Sequence, residues 1–241
     1  MPDDPYRHHP RLRGKIKPAA ESFFRELDMA MVDARVREAG MRADWRTPDD
    51  VREAGRRAFL AGREGRDLWV FAFGSLMWDP GIEFVEIRRA RAPEHARRFC
   101  LVDQGGRGSA EAPGLQLALD TGSGCDGLAF RIAAEAVEHE SFVLFRREMI
   151  AAGYLPVWLA LETAQGAVEA LGFAADHACE DIVTDIPLDE QARMIAHAAG
   201  FLGTNYEYLA GTRSQLEGLG VSDPYIDAVF ARVEALRAAQ A

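Results

Sequence analysis

Apolar positions change their spacing twice along the chain, and each change marks a change of element. Phe23, Phe24, Leu27 and Met31 recur at helical intervals, so residues 21–65 read as two helices. The second begins at Thr47-Pro48, with Thr47 as its cap and Pro48 at its first helical position. Short apolar runs bounded by turn residues take over from Asp67: LWVFAF, IEFVEI, RRFCLVD, GLQLALD and DGLAFRI predict five successive strands. Helical spacing returns over residues 134–153, with Val137, Ser141, Leu144, Phe145, Glu148 and Ala152 along one face and Gly153 as the stop. YLPVWLALE and GAVEALGF add two strands around a turn at residues 163–166, and helices follow from Leu188 to the end. One helix set among strands, with no regular βα alternation, predicts an α+β domain on a curled or barrel-like mixed sheet. Residues 67–241 form the expected main domain, and residues 1–66 a helical extension whose first 20 or so residues are expected to be a mobile tail.

Composition narrows the classes. The chain has 241 residues, 48% hydrophobic and 27% charged, as a soluble globular protein does. No apolar run approaches the roughly 20 residues of a membrane helix, and the N-terminus lacks the apolar middle of a secretory signal. Three cysteines, Cys100, Cys125 and Cys179, cannot all pair within one chain, which fits a reducing cytoplasm. A net charge of −10 argues against nucleic-acid binding. The basic residues between His8 and Lys17 read as a solvated tail.

Glu148 is the most informative single residue. Its neighbours at helical spacing are Leu144, Phe145, Ala151 and Ala152, so its carboxyl is expected on an apolar face, with Arg146 and Arg147 pointing elsewhere. It also falls in the last turn, where the helix dipole disfavours negative charge; burial and dipole together raise a carboxyl pKa and suit proton transfer near neutrality. A buried carboxylate also commonly meets an arginine from another strand, so spacing alone leaves both readings open. Gly74-Ser75-Leu76 ends the first strand either as a plain turn or as a cradle of bared amides. Ser75 lacks the Gly-x-Ser-x-Gly surround of a hydrolase nucleophile. Thr204 and Glu207 in GTNYEY form a capping box, with Tyr206 and Tyr208 on the helix it starts. Arg107 in the glycine-rich loop QGGRGSAEAPG reads either as a surface-loop arginine, the more common case, or as one that receives a carboxylate. His177 and Cys179 lack a second ligand pair, and neither the Walker pattern nor the dinucleotide fingerprint is present, so no metal and no cofactor is expected.

The blocks VFAFGSLMW, RRFCLVDQGGRGSAEAPG, FRREMIAAGY and GFLGTNYEYL, in that order, resemble the ChaC family of glutathione-specific γ-glutamylcyclotransferases. The resemblance implies a γ-glutamylcyclotransferase-like mixed β-barrel with flanking helices. It implies a lyase in which the α-amino group of a γ-glutamyl moiety attacks its own γ-carbonyl, so that glutathione gives 5-oxoproline and cysteinylglycine. Glu148 matches the family's catalytic glutamate. Phe71, Ala72, Phe73, Gly74, Ser75 and Leu76 match its substrate-binding strand end and turn, Tyr208 a tyrosine near the substrate, and Arg107 with Ser109 the loop at the cysteinylglycine end. Phe73 replaces a tyrosine of the usual family pattern and Ala72 a glycine. Another γ-glutamyl substrate, or a γ-glutamyl-binding protein without turnover, are the alternative expectations.

Overall fold

The computed structural model describes residues 4–38 and 45–239. Strands β1 (Leu68–Ala72), β2 (Glu86–Ala92), β3 (His95–Asp103), β4 (Gly114–Thr121), β5 (Cys125–Ile132), β6 (Tyr154–Thr163) and β7 (Val168–Ala175) form one mixed sheet in the order β1-β5-β2-β6-β7-β4-β3. β1 also pairs with β7, which closes β1, β5, β2, β6 and β7 into a barrel and leaves β4 and β3 as an outward continuation. β1 and β5 are buried at nearly every position, so their sequences read as apolar runs rather than as alternation.

One edge of β7 serves two partners. β1 lies parallel to it at Ala170 and Leu171, and β4 takes over at Ala174. Where β1 ends, the chain turns through a 3-10 segment, Ser75–Met77. Leu76 and Met77 of that turn are buried, and Leu117 of β4 lies beside Gly74.

The expected second strand is displaced: of IEFVEI only Glu86 and Ile87 are in β2. Gly81 sits at φ 69, and the Glu83 amide donates to Glu140 Oε2 at 3.0 Å instead of to a strand. Helix α3 (Val137–Glu148) ends five residues before the expected stop at Gly153, so Glu148 is its last residue and Ala151 and Ala152 are not on it. Helices α4 (Leu188–His197), α5 (Asn205–Leu219) and α6 (Pro224–Ala238) close the chain, with a short hairpin, β8 (Ala199–Gly200) and β9 (Gly203–Thr204), between α4 and α5. None of the helices among the described residues is long and apolar enough to cross a membrane.

The N-terminal part also departs from expectation. α1 (Met29–Glu38) starts only after Phe23, Phe24 and Leu27, and α2 (Asp49–Leu60) is capped by Pro48 rather than by Thr47, whose amide bonds the Ile150 carbonyl. α2 is held on α3 by Arg56, buried and bonded to Glu53, to Glu138 and to Ser141 Oγ at 2.7 Å. The expected mobile tail is docked. Leu12 and Ile16 join the main core, Arg7 and His8 pair with the buried Glu86, and the Lys17 amide bonds the Trp78 carbonyl at 2.8 Å. Two apolar side chains and a buried acid are enough to fix a segment that looks polar in sequence.

Candidate active site

The turn after β1 opens onto a cleft of about 1050 Å³. Within the turn the amides of Met77, Trp78 and Asp79 are taken by Gly74 and Ser75 carbonyls. The Ser75 and Leu76 amides, at the head of the 3-10 segment, have no acceptor among the described residues. At Gly74 the constraint is close packing rather than a left-handed backbone, since its φ is −132°. A Cβ on it would come to 3.0 Å from the Tyr208 hydroxyl. The tyrosine on α5 is thereby brought against the turn.

Glu148 faces the same cleft, its side chain 16% exposed. Burial pushes its carboxyl above the ordinary range, and Arg147 holds part of that rise back. The expectation that Arg147 points elsewhere is wrong. A side chain in the final turn of a helix is free to fold round the end, and Arg147 Nε lies 2.9 Å from Glu148 Oε1. The same guanidinium donates to Ser75 Oγ at 2.9 Å and to the Asp79 carbonyl at 2.5 Å, and it rests on the Phe24 ring at 4.0 Å. One cation therefore ties the acid to the cradle turn.

Two phenols complete the inner wall. Tyr154, the first residue of β6, donates to the Leu117 carbonyl at 2.8 Å, and Tyr208 packs edge-on against Phe99. Burial raises the pKa of both, and the negative charge of Glu148 adds to the rise. Tyr208 is positioned by the predicted capping box, in which Thr204 and Glu207 exchange bonds of 2.9 and 3.1 Å. Asn205, wholly buried, fixes the start of α5 to β4 by accepting from the Leu115 amide at 2.7 Å and donating to its carbonyl at 2.8 Å. Asn205→Ala would strand both groups, and a loss of about 2 kcal/mol or more is expected in urea unfolding.

The glycine-rich loop folds around Asp103, whose carboxylate accepts the amides of Gly105, Gly106 and Arg107 and the Gln116 side chain. Gly108 passes so close to Gly114 that a Cβ would stand 2.1 Å from its nitrogen. Arg107 reaches over the Tyr208 ring at 5.7 Å and toward the Thr204 carbonyl at 3.4 Å, with burial drawing its pKa down.

Of the residues singled out in sequence, the cleft collects Phe73, Gly74, Ser75, Leu76, Arg107, Glu148 and Tyr208. Phe71 and Ala72 do not reach it; both are fully buried in the core. Ser109 bonds within its own loop, and Tyr206 stacks on Phe230 away from the cleft. Arg147, Tyr154, Asp103 and Asn205 were missed. Tyr154 lies inside the block FRREMIAAGY, and Arg147 is adjacent to Glu148, so both had a signal in sequence. Among the described residues no cluster of His, Cys, Asp and Glu is suited to a metal ion.

A family model described as ChaC-like protein matches residues 68–236. The glutathione-specific γ-glutamylcyclotransferase of Escherichia coli (strain K12) is 38% identical over 191 residues, covering 78% of this chain and 83% of that protein. Glutathione-specific γ-glutamylcyclotransferase 1 of Rattus norvegicus is 29% identical over 176 residues, covering 70% and 79%. The crystal structure of the γ-glutamyl cyclotransferase specific to glutathione from yeast superposes with a TM-score of 0.64 at 22% identity, covering 71% of this chain and 99% of that one. The closed mixed barrel and its flanking helices are thus a γ-glutamylcyclotransferase fold. With the family match spanning the whole barrel and most of the C-terminal helices, the chain belongs to the ChaC family.

Proposed function

We propose that the protein cleaves glutathione to 5-oxoproline and cysteinylglycine. The observation that carries this reading is the single cleft in which the Glu148 carboxyl is tethered through Arg147 to the turn at Gly74–Leu76. The substrate supplies its own nucleophile, so the protein has to fold it, move a proton and steady charge. The γ-glutamyl end lies against the turn, with the Ser75 and Leu76 amides directed at its carboxylate or at the oxygen that gains charge. Glu148 takes a proton from the α-ammonium. The freed amine attacks the γ-carbonyl, the new C–N bond closes the lactam ring and the old amide C–N bond breaks. Glu148 then returns that proton to the departing amine and takes up the second proton that the attacking nitrogen sheds on becoming a lactam, which leaves with the amine as its ammonium.

Holding amine and carbonyl at attack distance contributes several kcal/mol to lowering the barrier, which is the part that Gly74, Tyr208 and Leu117 play as close-packed walls. Arg107 faces the cysteinylglycine carboxylate at the other end. Residues 67–241 are the catalytic unit in this reading. The three cysteines are unpaired, in keeping with a cytoplasmic enzyme whose substrate is a thiol. Purified protein incubated with glutathione is expected to release 5-oxoproline and cysteinylglycine in equal amounts; binding of glutathione without either product would refute the proposal.

A further inference from the structure

The cleft that holds Glu148 is also walled by residues that the barrel does not supply. Toward solvent its outer part is lined by Phe23 and Trp45 of the N-terminal extension and by Ile150, Phe201 and Leu202, while Phe24 lies under Arg147. Two of these are large apolar groups left in the open, Phe23 at 42% and Phe201 at 43% exposure. Behind them Trp45 and Ile150 pack on Leu27, Val32 and Val36 in a small apolar cluster separate from the main core. This wall is anchored. Arg25 makes a two-pronged bond to the buried Glu140 at 2.8 and 3.0 Å and a third to the Gly81 carbonyl, and Arg146 donates to the Phe24 carbonyl at 3.3 Å. Phe23 packs edge-on against Phe24 at 5.6 Å.

At about 1050 Å³ the cleft lies at the upper end of the range for drug-sized ligands, and glutathione fills only part of it. With the glutamyl end at Glu148, the leaving half presents a carboxylate, which suits Arg107, and polar peptide links. Its cysteine side chain is the one uncharged group free to face an apolar wall, and a bare thiol leaves that wall uncovered. We infer that the outer cleft is a subsite for an apolar group carried on the substrate sulfur, so that the enzyme accepts thioether conjugates of glutathione with alkyl or aryl S-substituents. The inference rests on the cyclotransferase reading and extends it. The same bonds form and break, the sulfur–carbon bond is untouched, and the products are 5-oxoproline and S-substituted cysteinylglycine.

The test compares kcat/KM, from 5-oxoproline release, for glutathione and its S-methyl, S-butyl and S-hexyl thioethers. Burial of added methylenes predicts a rise of about tenfold or more from S-methyl to S-hexyl. Phe23→Ser and Phe201→Ser, exposed positions at which folding is spared, are expected to lower the S-hexyl to S-methyl ratio about fivefold. Cleavage of glutathione with a flat or falling thioether series overturns the inference, as does a ratio unchanged in both variants. Product from none of the four compounds removes the cyclotransferase reading and this inference with it.

Discussion

Glu148→Gln is expected to lower kcat for glutathione about 10³-fold, in the middle of the range for loss of a general acid–base group, with KM little changed. The amide keeps the size of the side chain and can still bond to the cleft wall, but it can neither take the α-ammonium proton nor hand one to the leaving amine. The measurement is 5-oxoproline release at saturating glutathione, with the urea midpoint as a check on the fold. Glu148 is half-buried against a single cation at the end of α3, so removing its charge also strands Arg147 in part. A modest change in stability is therefore compatible with the assignment, whereas a variant of wild-type kcat is not.

Arg147→Met gives the second large effect, and its sign follows from the two influences on Glu148. Burial raises the carboxyl pKa and the neighbouring guanidinium opposes that rise. Proton abstraction needs the ionised form, present above the pKa, so activity falls as pH drops through it. Without the cation the pKa climbs further, and the acid limb of the kcat profile moves to higher pH. At pH 7 the loss is expected to be about tenfold to a hundredfold, partly recovered by raising the pH. A loss that is the same at every pH would instead mean that Arg147 only holds the Ser75 turn in place.

The sequence carried the barrel strands well because each apolar run is short, bounded by turn residues and buried; all but IEFVEI fall on strands with small shifts at their ends. The capping box at Thr204 and Glu207 was legible because it depends on residues three apart and on nothing distant. Gly74 was read for its backbone freedom, and the structure shows a different constraint at that position. A glycine in sequence suggests an unusual backbone, yet what crowds a side chain there is the hydroxyl of a tyrosine 134 positions along, visible only once α5 is packed. Arg147 escaped notice because helical spacing treats neighbours as pointing apart, which fails at a helix end for a long side chain. The docked N-terminus escaped for the opposite reason. Its few apolar residues have no periodicity, and Leu12 and Ile16 matter only because the barrel leaves places for them.

The bond from the Lys17 amide to the Trp78 carbonyl, reinforced by Lys17 Nζ at 3.1 Å from Asp79, puts a hand from far upstream on the segment just beyond the cradle. A chain trimmed to residues 68–236 keeps every barrel strand but gives up that grip, along with the Phe24 ring beneath Arg147. Shortening the protein to its family core therefore amounts to loosening the proposed active site from outside, and the leading residues are better regarded as a harness than as packaging.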